Sequence, residues 1–404
     1  METNRDMNRS SSLAAAFAFA AFLAAGPALA AESCQKADFD GWLKAVARDA
    51  AAQGVSQAAI QKGLAAVRFD PSIVKKDRSQ GVFSQTFLQF SDRMVEQYRV
   101  KQGPGYIKKY ADTFKRIEQT YGVPAEVITA FWALETDFGQ VMGDDPTLVS
   151  LATLGYDCRR PDLFRPQLIA ALKIIDRGDL TVEEMRGPWA GEMGQFQFLA
   201  SHYLDYGVDF DGDGKVKLRK STPDALASAA NLLARHGWRR GEPWLQEVKV
   251  PADFPWEMAD LRIRLPRSEW VAAGVKGTGN ALPNDGLEAS LLLPMGRKGP
   301  AFLAYPNFYV FLEWNSSLVY STSAAYFATR LAGAPKVSRG QPIETLSFDQ
   351  IKQLQTILAR KGYDVGKIDG IIGEKTREAV RDVQIKLGLP ADSYPTKELL
   401  AKLS

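Results

Sequence analysis

The sequence predicts a mainly α protein with a small β insertion and a compact C-terminal three-helix module. Apolar residues recur at helical spacing up to about residue 240, and short apolar or alternating runs broken by Pro, Gly and Asn take over at 245–306. A Pro/Gly-rich polar stretch, GAPKVSRGQPIET at 333–345, then precedes a last helical segment. A chain of 404 residues is long enough for two or three domains around a large core.

The chain begins with Arg5 and Arg9 ahead of an apolar run, Leu13 to Leu29, that closes on the small-residue pattern Ala28-Leu29-Ala30. Residues 1–30 are therefore expected to be a cleaved secretory signal. Cys34 lacks the upstream Leu of a lipoprotein signal, so a soluble exported chain is expected, with Cys34 and Cys158 in a compartment where disulfides can form. Phe39, Trp42, Leu43, Val46 and Ala50 mark a first helix, and Ile60 and Leu64 a second after Ser56. Phe83 to Tyr98 and Tyr106 to Tyr121 each carry one apolar stripe.

Val123 to Gly139, VPAEVITAFWALETDFG, lies between a helix-starting Pro124 and a helix-closing Gly139. Glu135 falls near its C-terminal end with Phe131, Trp132 and Phe138 as helical neighbours. Loss of water and the negative end of the helix dipole both raise a carboxyl pKa there. A glutamic acid protonated near neutrality suits proton donation to the leaving oxygen of a glycosidic bond. For an isolated glutamate in that place, reaching to solvent or pairing with Arg159 or Arg160 is the better reading.

Helical pieces follow at Leu148–Leu154 and Leu168–Ile175, and then the glycine-rich Trp189–Phe198, WAGEMGQFQF. Gln195 and Gln197 in that segment offer donors and acceptors for sugar hydroxyl and acetamido groups. Asp209, Asp211 and Asp213, with Gly214 and Val216, reproduce the front half of an EF-hand loop, in which Lys215 would add its carbonyl. The twelfth position is Lys220, so a regular EF-hand is not completed. Three carboxylates so close repel without a cation, and a structural calcium is expected. Ser221 or Thr222 caps a helix opened by Pro223, with Asp224 favouring its first turn.

The formal charge of +3 argues against a dedicated nucleic-acid binder. With two histidines, His202 and His236, a Ser-His-Asp site or a multi-histidine metal site has little material. A conventional glycosidase needs a second carboxylate about 5 Å from the acid, or roughly 6.5–9.5 Å if it inverts. Asp137 points to another side of the helix, and Asp144, Asp145 and Asp157 are loop candidates.

Glu135-Thr136, Phe138-Gly139, LVSLATL at 148–154 and WAGEMGQFQF at 189–198 together resemble the lytic murein transglycosylases of the B type, over roughly Phe39 to Ala332. The resemblance implies a lysozyme-like catalytic core that cleaves the MurNAc-GlcNAc β-1,4 bond of peptidoglycan without water. Glu135 would be the single general acid/base, and the products would be 1,6-anhydromuramoyl sugars. Gln197 matches the family's binding Gln. Trp314-Asn315-Ser316-Ser317 and Tyr320 match its closing motif, which carries substrate-facing roles to Asn315 and Tyr320. Asp224 would close the calcium site as a late acid does in that family. Pro188 stands where many members carry Ser, and Trp314 replaces the usual Tyr. Gln353–Leu387, with Gly362-Tyr363, Asp369-Gly370, Gly373 and Thr376, resembles the first family of peptidoglycan-binding domains.

The expected organisation is a signal at 1–30, a catalytic domain at 31–332, a linker at 333–345 and a wall-binding domain at 346–404. The expected protein is a periplasmic monomer acting on peptidoglycan glycan strands, in reach of cell-wall synthesis or remodelling proteins, with no organic cofactor and no nucleic-acid partner. The other readings are a hydrolytic muramidase and a catalytically silent wall-binding scaffold.

Overall fold

In the computed structural model residues 38–79 and 85–404 are described; the expected signal, Cys34 and Phe83 lie outside them. Cys158 is disulfide-bonded.

The first layer of helices is α1 (Phe39–Ala52), α2 (Gln57–Leu64) and α3 (Pro71–Arg78). Asp38, Ser56 and Asp70 cap them by accepting a backbone N–H of the first turn. The expected stripes at 83–98 and 106–121 are cut differently. The chain leaves α4 (Phe87–Met94) at Val95, runs through α5 (Gln97–Lys109) with Pro104 inside it, and turns at Tyr110 into α6 (Ala111–Tyr121). Helix α3 was not foreseen, because its one apolar face is short and its sequence is mostly charged.

Helix α7 (Ala125–Thr136) is the central element. Nine of its residues are buried, so it is apolar nearly all round, as a helix enclosed by others must be. It stops three residues before Gly139, because Asp137 and Phe138 both adopt left-handed conformations. A two-stranded ribbon, β1 (Asp145–Pro146) with β2 (Arg186–Gly187), frames α8 (Thr147–Tyr156) and α9 (Pro161–Arg177). Then come α10 (Ala200–Tyr206) and α11 (Thr222–Arg235).

The insertion is an antiparallel sheet in the order β4-β6-β7-β3-β5, built from β3 (Leu245–Lys249), β4 (Leu265–Pro266), β5 (Lys276–Gly277), β6 (Glu288–Leu292) and β7 (Ala301–Ala304). Leu303 of β7 is paired with Gln246 and Leu291 on its two sides. The short helix α12 (Arg267–Ala272) buries Trp270 under the sheet, in a core separate from the helical one. Helices α13 (Pro306–Trp314) and α14 (Leu318–Leu331) return to the main core, where α14 packs along α7 and its Ser321 hydroxyl donates to Phe311 O of α13.

The C-terminal module is α15 (Phe348–Arg360), α16 (Glu374–Lys386) and α17 (Lys397–Leu403) around Leu354, Leu358, Val380 and Leu399. Ser347 and Gln350 make the expected reciprocal capping box. The stretch at 333–345 has no regular element, yet it is tied down. Val337 N–H reaches the Tyr326 hydroxyl, Ser338 N–H the Glu247 carboxylate, and Arg339 pairs with Asp92. Among the described residues no helix is long and apolar enough to cross a membrane.

Candidate active site

Glu135 occupies the last turn of α7 and keeps a partly accessible face amid dense packing. Phe131, one turn earlier, stacks on Trp314 at 4.3 Å between ring centroids. The Trp314 indole N–H donates to Glu135 Oε1 at 3.1 Å, and the Tyr320 hydroxyl donates to the same oxygen. Burial pushes the Glu135 carboxyl up to about 7, against the opposing pull of these two donors. Both donors meet Oε1, while Oε2 has no protein partner among the described residues.

Trp314 and Tyr320 are 1% and 2% exposed, so neither is a free platform for a sugar ring. Trp314, which replaces the family's usual Tyr, gives its indole N–H to the acid. Tyr320, expected to face substrate, is first of all a hydrogen-bond donor to Glu135, and its own pKa lies well above the usual value because of burial and the neighbouring carboxyl.

The segment 193–198 closes on itself through the bridge between Met193 and Phe198. Phe196 and Phe198 set their ring edges against Trp314. Gln197 is held with φ +52° and donates Nε2–H to Gly194 O at 2.9 Å, leaving Oε1 without a protein partner among the described residues. Asn315 accepts from Ser317 N–H at 2.9 Å and keeps its NH2 group for a further acceptor. Both remain suited to a polar ligand. Gln195 is engaged within the protein. Its Oε1 accepts from Trp132 Nε1–H at 2.9 Å, and its Nε2 is directed to Thr222 Oγ1 at 3.2 Å and Arg219 O at 3.4 Å. It is only 5% exposed, and its amide links neighbouring elements.

The loop aspartates offered as a second carboxylate are all engaged elsewhere. Asp137 accepts from Arg99 and Tyr98, Asp144 faces Arg186 and Arg219, Asp145 pairs with Lys76 and Asp157 with Arg78. The carboxyl that sequence reasoning passed over is Glu192. It is 3% exposed, its Oε2 has no hydrogen-bond partner among the described residues, and burial together with the Glu135 charge pushes its pKa up to about 7. An acid inside an otherwise apolar and glycine-rich WAGEMG run was the available signal.

Asp209, Asp211 and Asp213 converge, with one oxygen of each lying within 4.8 Å of the others. Asp209 also accepts the N–H groups of Gly212, Asp213 and Gly214, so the turn is organised around its carboxylate. The three-aspartate set fits a hard divalent cation. Asp224 sits differently. Fully buried, it receives the N–H groups of Phe210 and Asp211 on Oδ1 and of Lys217 on Oδ2. It holds the backbone of the loop from behind. Lys217 reaches Asp213 at 2.5 Å and competes with a cation there.

A helical core with a desolvated glutamic acid at the end of its central helix, held by aromatic donors, defines a lysozyme-like glycan-cleaving fold. Residues 38–329 match the transglycosylase SLT domain family, and residues 348–403 match a putative peptidoglycan-binding domain. The chain belongs to this transglycosylase family, whose relatives are peptidoglycan lytic transglycosylases. It is similar to the membrane-bound lytic murein transglycosylase B of Escherichia coli (strain K12), 32% identical over 238 residues, covering 58% of this chain and 64% of the relative. SltB3 from Pseudomonas aeruginosa, solved in complex with NAG-anhNAM-pentapeptide, is 41% identical, with 91% of this chain and 99% of that one covered at a TM-score of 0.84. The Escherichia coli lytic transglycosylase Slt35 in complex with calcium is 28% identical, with 72% and 92% covered at a TM-score of 0.60.

Proposed function

We propose that this protein cleaves the MurNAc-GlcNAc bond of peptidoglycan with Glu135 as the only proton donor and acceptor. The observation that carries the reading is the Glu135 carboxyl, raised to about 7, with Oε1 fixed by two neutral donors and a partly accessible face. Oε2–H protonates the bridging oxygen, and the C1–O bond breaks as positive charge grows at the muramoyl C1. The carboxylate left behind takes the proton from the muramoyl C6 hydroxyl as that oxygen bonds to C1, which restores Glu135 and closes the 1,6-anhydro ring. An intramolecular nucleophile replaces a positioned water. Gln197 and Asn315 offer the polar contacts to substrate.

Hydrolysis would need Glu192 to activate water, since the loop aspartates are paired; its 3% exposure leaves no face for one. A silent scaffold would have no reason to hold an acid protonated near neutrality. We read 31–332 as the catalytic domain, 333–345 as a connecting strap and 346–404 as the wall-binding domain of an exported, monomeric periplasmic protein. The Asp209, Asp211 and Asp213 turn would hold a structural calcium, with Lys215 adding its carbonyl and Asp224 fixing the loop.

Mass spectrometry of fragments released from purified peptidoglycan tests the reaction. Anhydromuramoyl products from the wild type and none from Glu135→Gln are expected. Reducing-end products would overturn the mechanism, and no products from folded wild-type protein would favour the scaffold.

A further inference from the structure

Three consecutive left-handed residues, Asp137, Phe138 and Gly139, carry the chain off the end of α7 and over the side chain of Gln195. Gly139 is required there: a Cβ would stand 2.8 Å from Gln195 Oε1, and its φ is +80°. Gln195 meets the catalytic helix twice. Its amide oxygen takes the Trp132 indole N–H, and its backbone oxygen takes the Thr136 hydroxyl at 2.6 Å, one residue from Glu135. On its other side it meets the segment behind the acidic turn, through Leu218 O from its N–H at 2.9 Å, and through Arg219 O and Thr222 Oγ1 from its NH2. Gly194 permits this approach, since a Cβ there would lie 2.7 Å from Leu218.

We infer that Gln195 is a positioning residue for the proposed reaction: it clamps the last turn of α7 to the 218–222 segment and so fixes where Glu135 stands relative to the substrate. This rests on reading Glu135 as the acid/base. The argument is geometric. The end of α7 is closed by its own backbone, through Asp137 N–H to Ala133 O and Phe138 N–H to Trp132 O, and Gln195 adds the two contacts that tie Trp132 and Thr136 of that last turn to the 218–222 segment. The amide is suited to this because it accepts on one side and donates on the other, which neither Glu nor Met can do.

The test is steady-state turnover of a soluble GlcNAc-MurNAc oligomer by Gln195→Met, Gln195→Glu, Trp132→Phe and the Trp132→Phe/Gln195→Met double variant, with the tryptophan indole N–H resonances recorded for each. A clamp predicts a kcat reduced by about tenfold in Gln195→Met with KM within twofold, and a loss in the double variant no larger than in the worse single one. It also predicts that the Trp132 indole resonance, assigned from Trp132→Phe, moves in Gln195→Met and is largely kept in Gln195→Glu. A raised KM at unchanged kcat would make Gln195 a substrate contact and overturn the inference, as would additive losses in the double variant. Should Gln195→Met fail to fold, the kcat of Gln195→Glu and Trp132→Phe carries the same comparison. If Glu135→Gln retained activity the acid/base reading would fall, while the cycle between Trp132 and Gln195 would still report whether the clamp governs turnover.

Discussion

Glu135 is enclosed by Phe131, Trp314 and Tyr320 and receives two neutral side-chain donors, whereas Asp209, Asp211 and Asp213 lie at the surface and are bound mainly by backbone N–H groups. Both regions are carboxylates organised by hydrogen bonds, yet one favours keeping a proton and the other gathers three charges at an exposed turn. Desolvation makes the difference. Removing water raises the cost of the charged form of Glu135, while the turn keeps its charges in water and gathers them by chain geometry.

The sharpest way to break the contrast is to remove ionisation from the enclosed side. Glu135→Gln should lower turnover by a factor of about a thousand, read from fragment release. It should also stabilise the fold at alkaline pH. The buried acid keeps its proton to about 7 when folded, against 4.5 ordinarily, so the wild type loses stability as pH rises from about 4.5 to 7. Gln removes that loss, up to about 3 kcal/mol at pH 8 by calorimetry.

On the open side, Asp224→Ala strips three backbone N–H groups of their acceptor and should cost about 3 kcal/mol in urea unfolding, even with a chelator present. Millimolar calcium should raise the wild-type Tm by roughly 5 °C and leave Asp213→Asn unmoved. Calcium-independent melting of both would remove the metal from that side.

Two smaller changes sharpen the comparison. Tyr320→Phe deletes a donor that favours the ionised Glu135, so the alkaline limb of the kcat profile should move up by about one pH unit while kcat falls roughly tenfold. Glu192→Gln should move the limb the other way, by less than about one unit, because two nearby carboxyls each raise the other and removing one relieves its neighbour. An unmoved limb would show that the two acids do not interact.

Much of the enclosed region was legible because it is local in sequence. Phe131, Trp132 and Glu135 share helical spacing, and that periodicity anticipated a desolvated acid. The donors were not legible as donors, since Trp314 and Tyr320 reach Glu135 only after α13 and α14 fold back across the β insertion. The role of Gln195 was hidden for the same reason: its partners lie on α7 and beside α11, and neither spacing nor composition records them. The acidic turn was read correctly as a unit, because its hydrogen bonds run within a few residues. Asp224 shows where that reading ended, as its burial depends on the packing of α11. The breaks at Val95 and Tyr110 were missed because the same apolar stripe continues across them.

The fastening of the 333–345 strap has a consequence for how the chain comes apart. The Arg377 guanidinium donates to Leu293 O at 2.7 Å, Arg381 to Glu257 O at 2.8 Å, and Asp392 accepts from Arg297 N–H at 3.0 Å, so the C-terminal module is seated on the β insertion independently of the strap. A protease that cuts between Gly333 and Thr345 would leave two fragments that still elute together from a sizing column, and a gene shortened at residue 345 would make a protein in which Leu293 O, Glu257 O and Arg297 N–H turn to water.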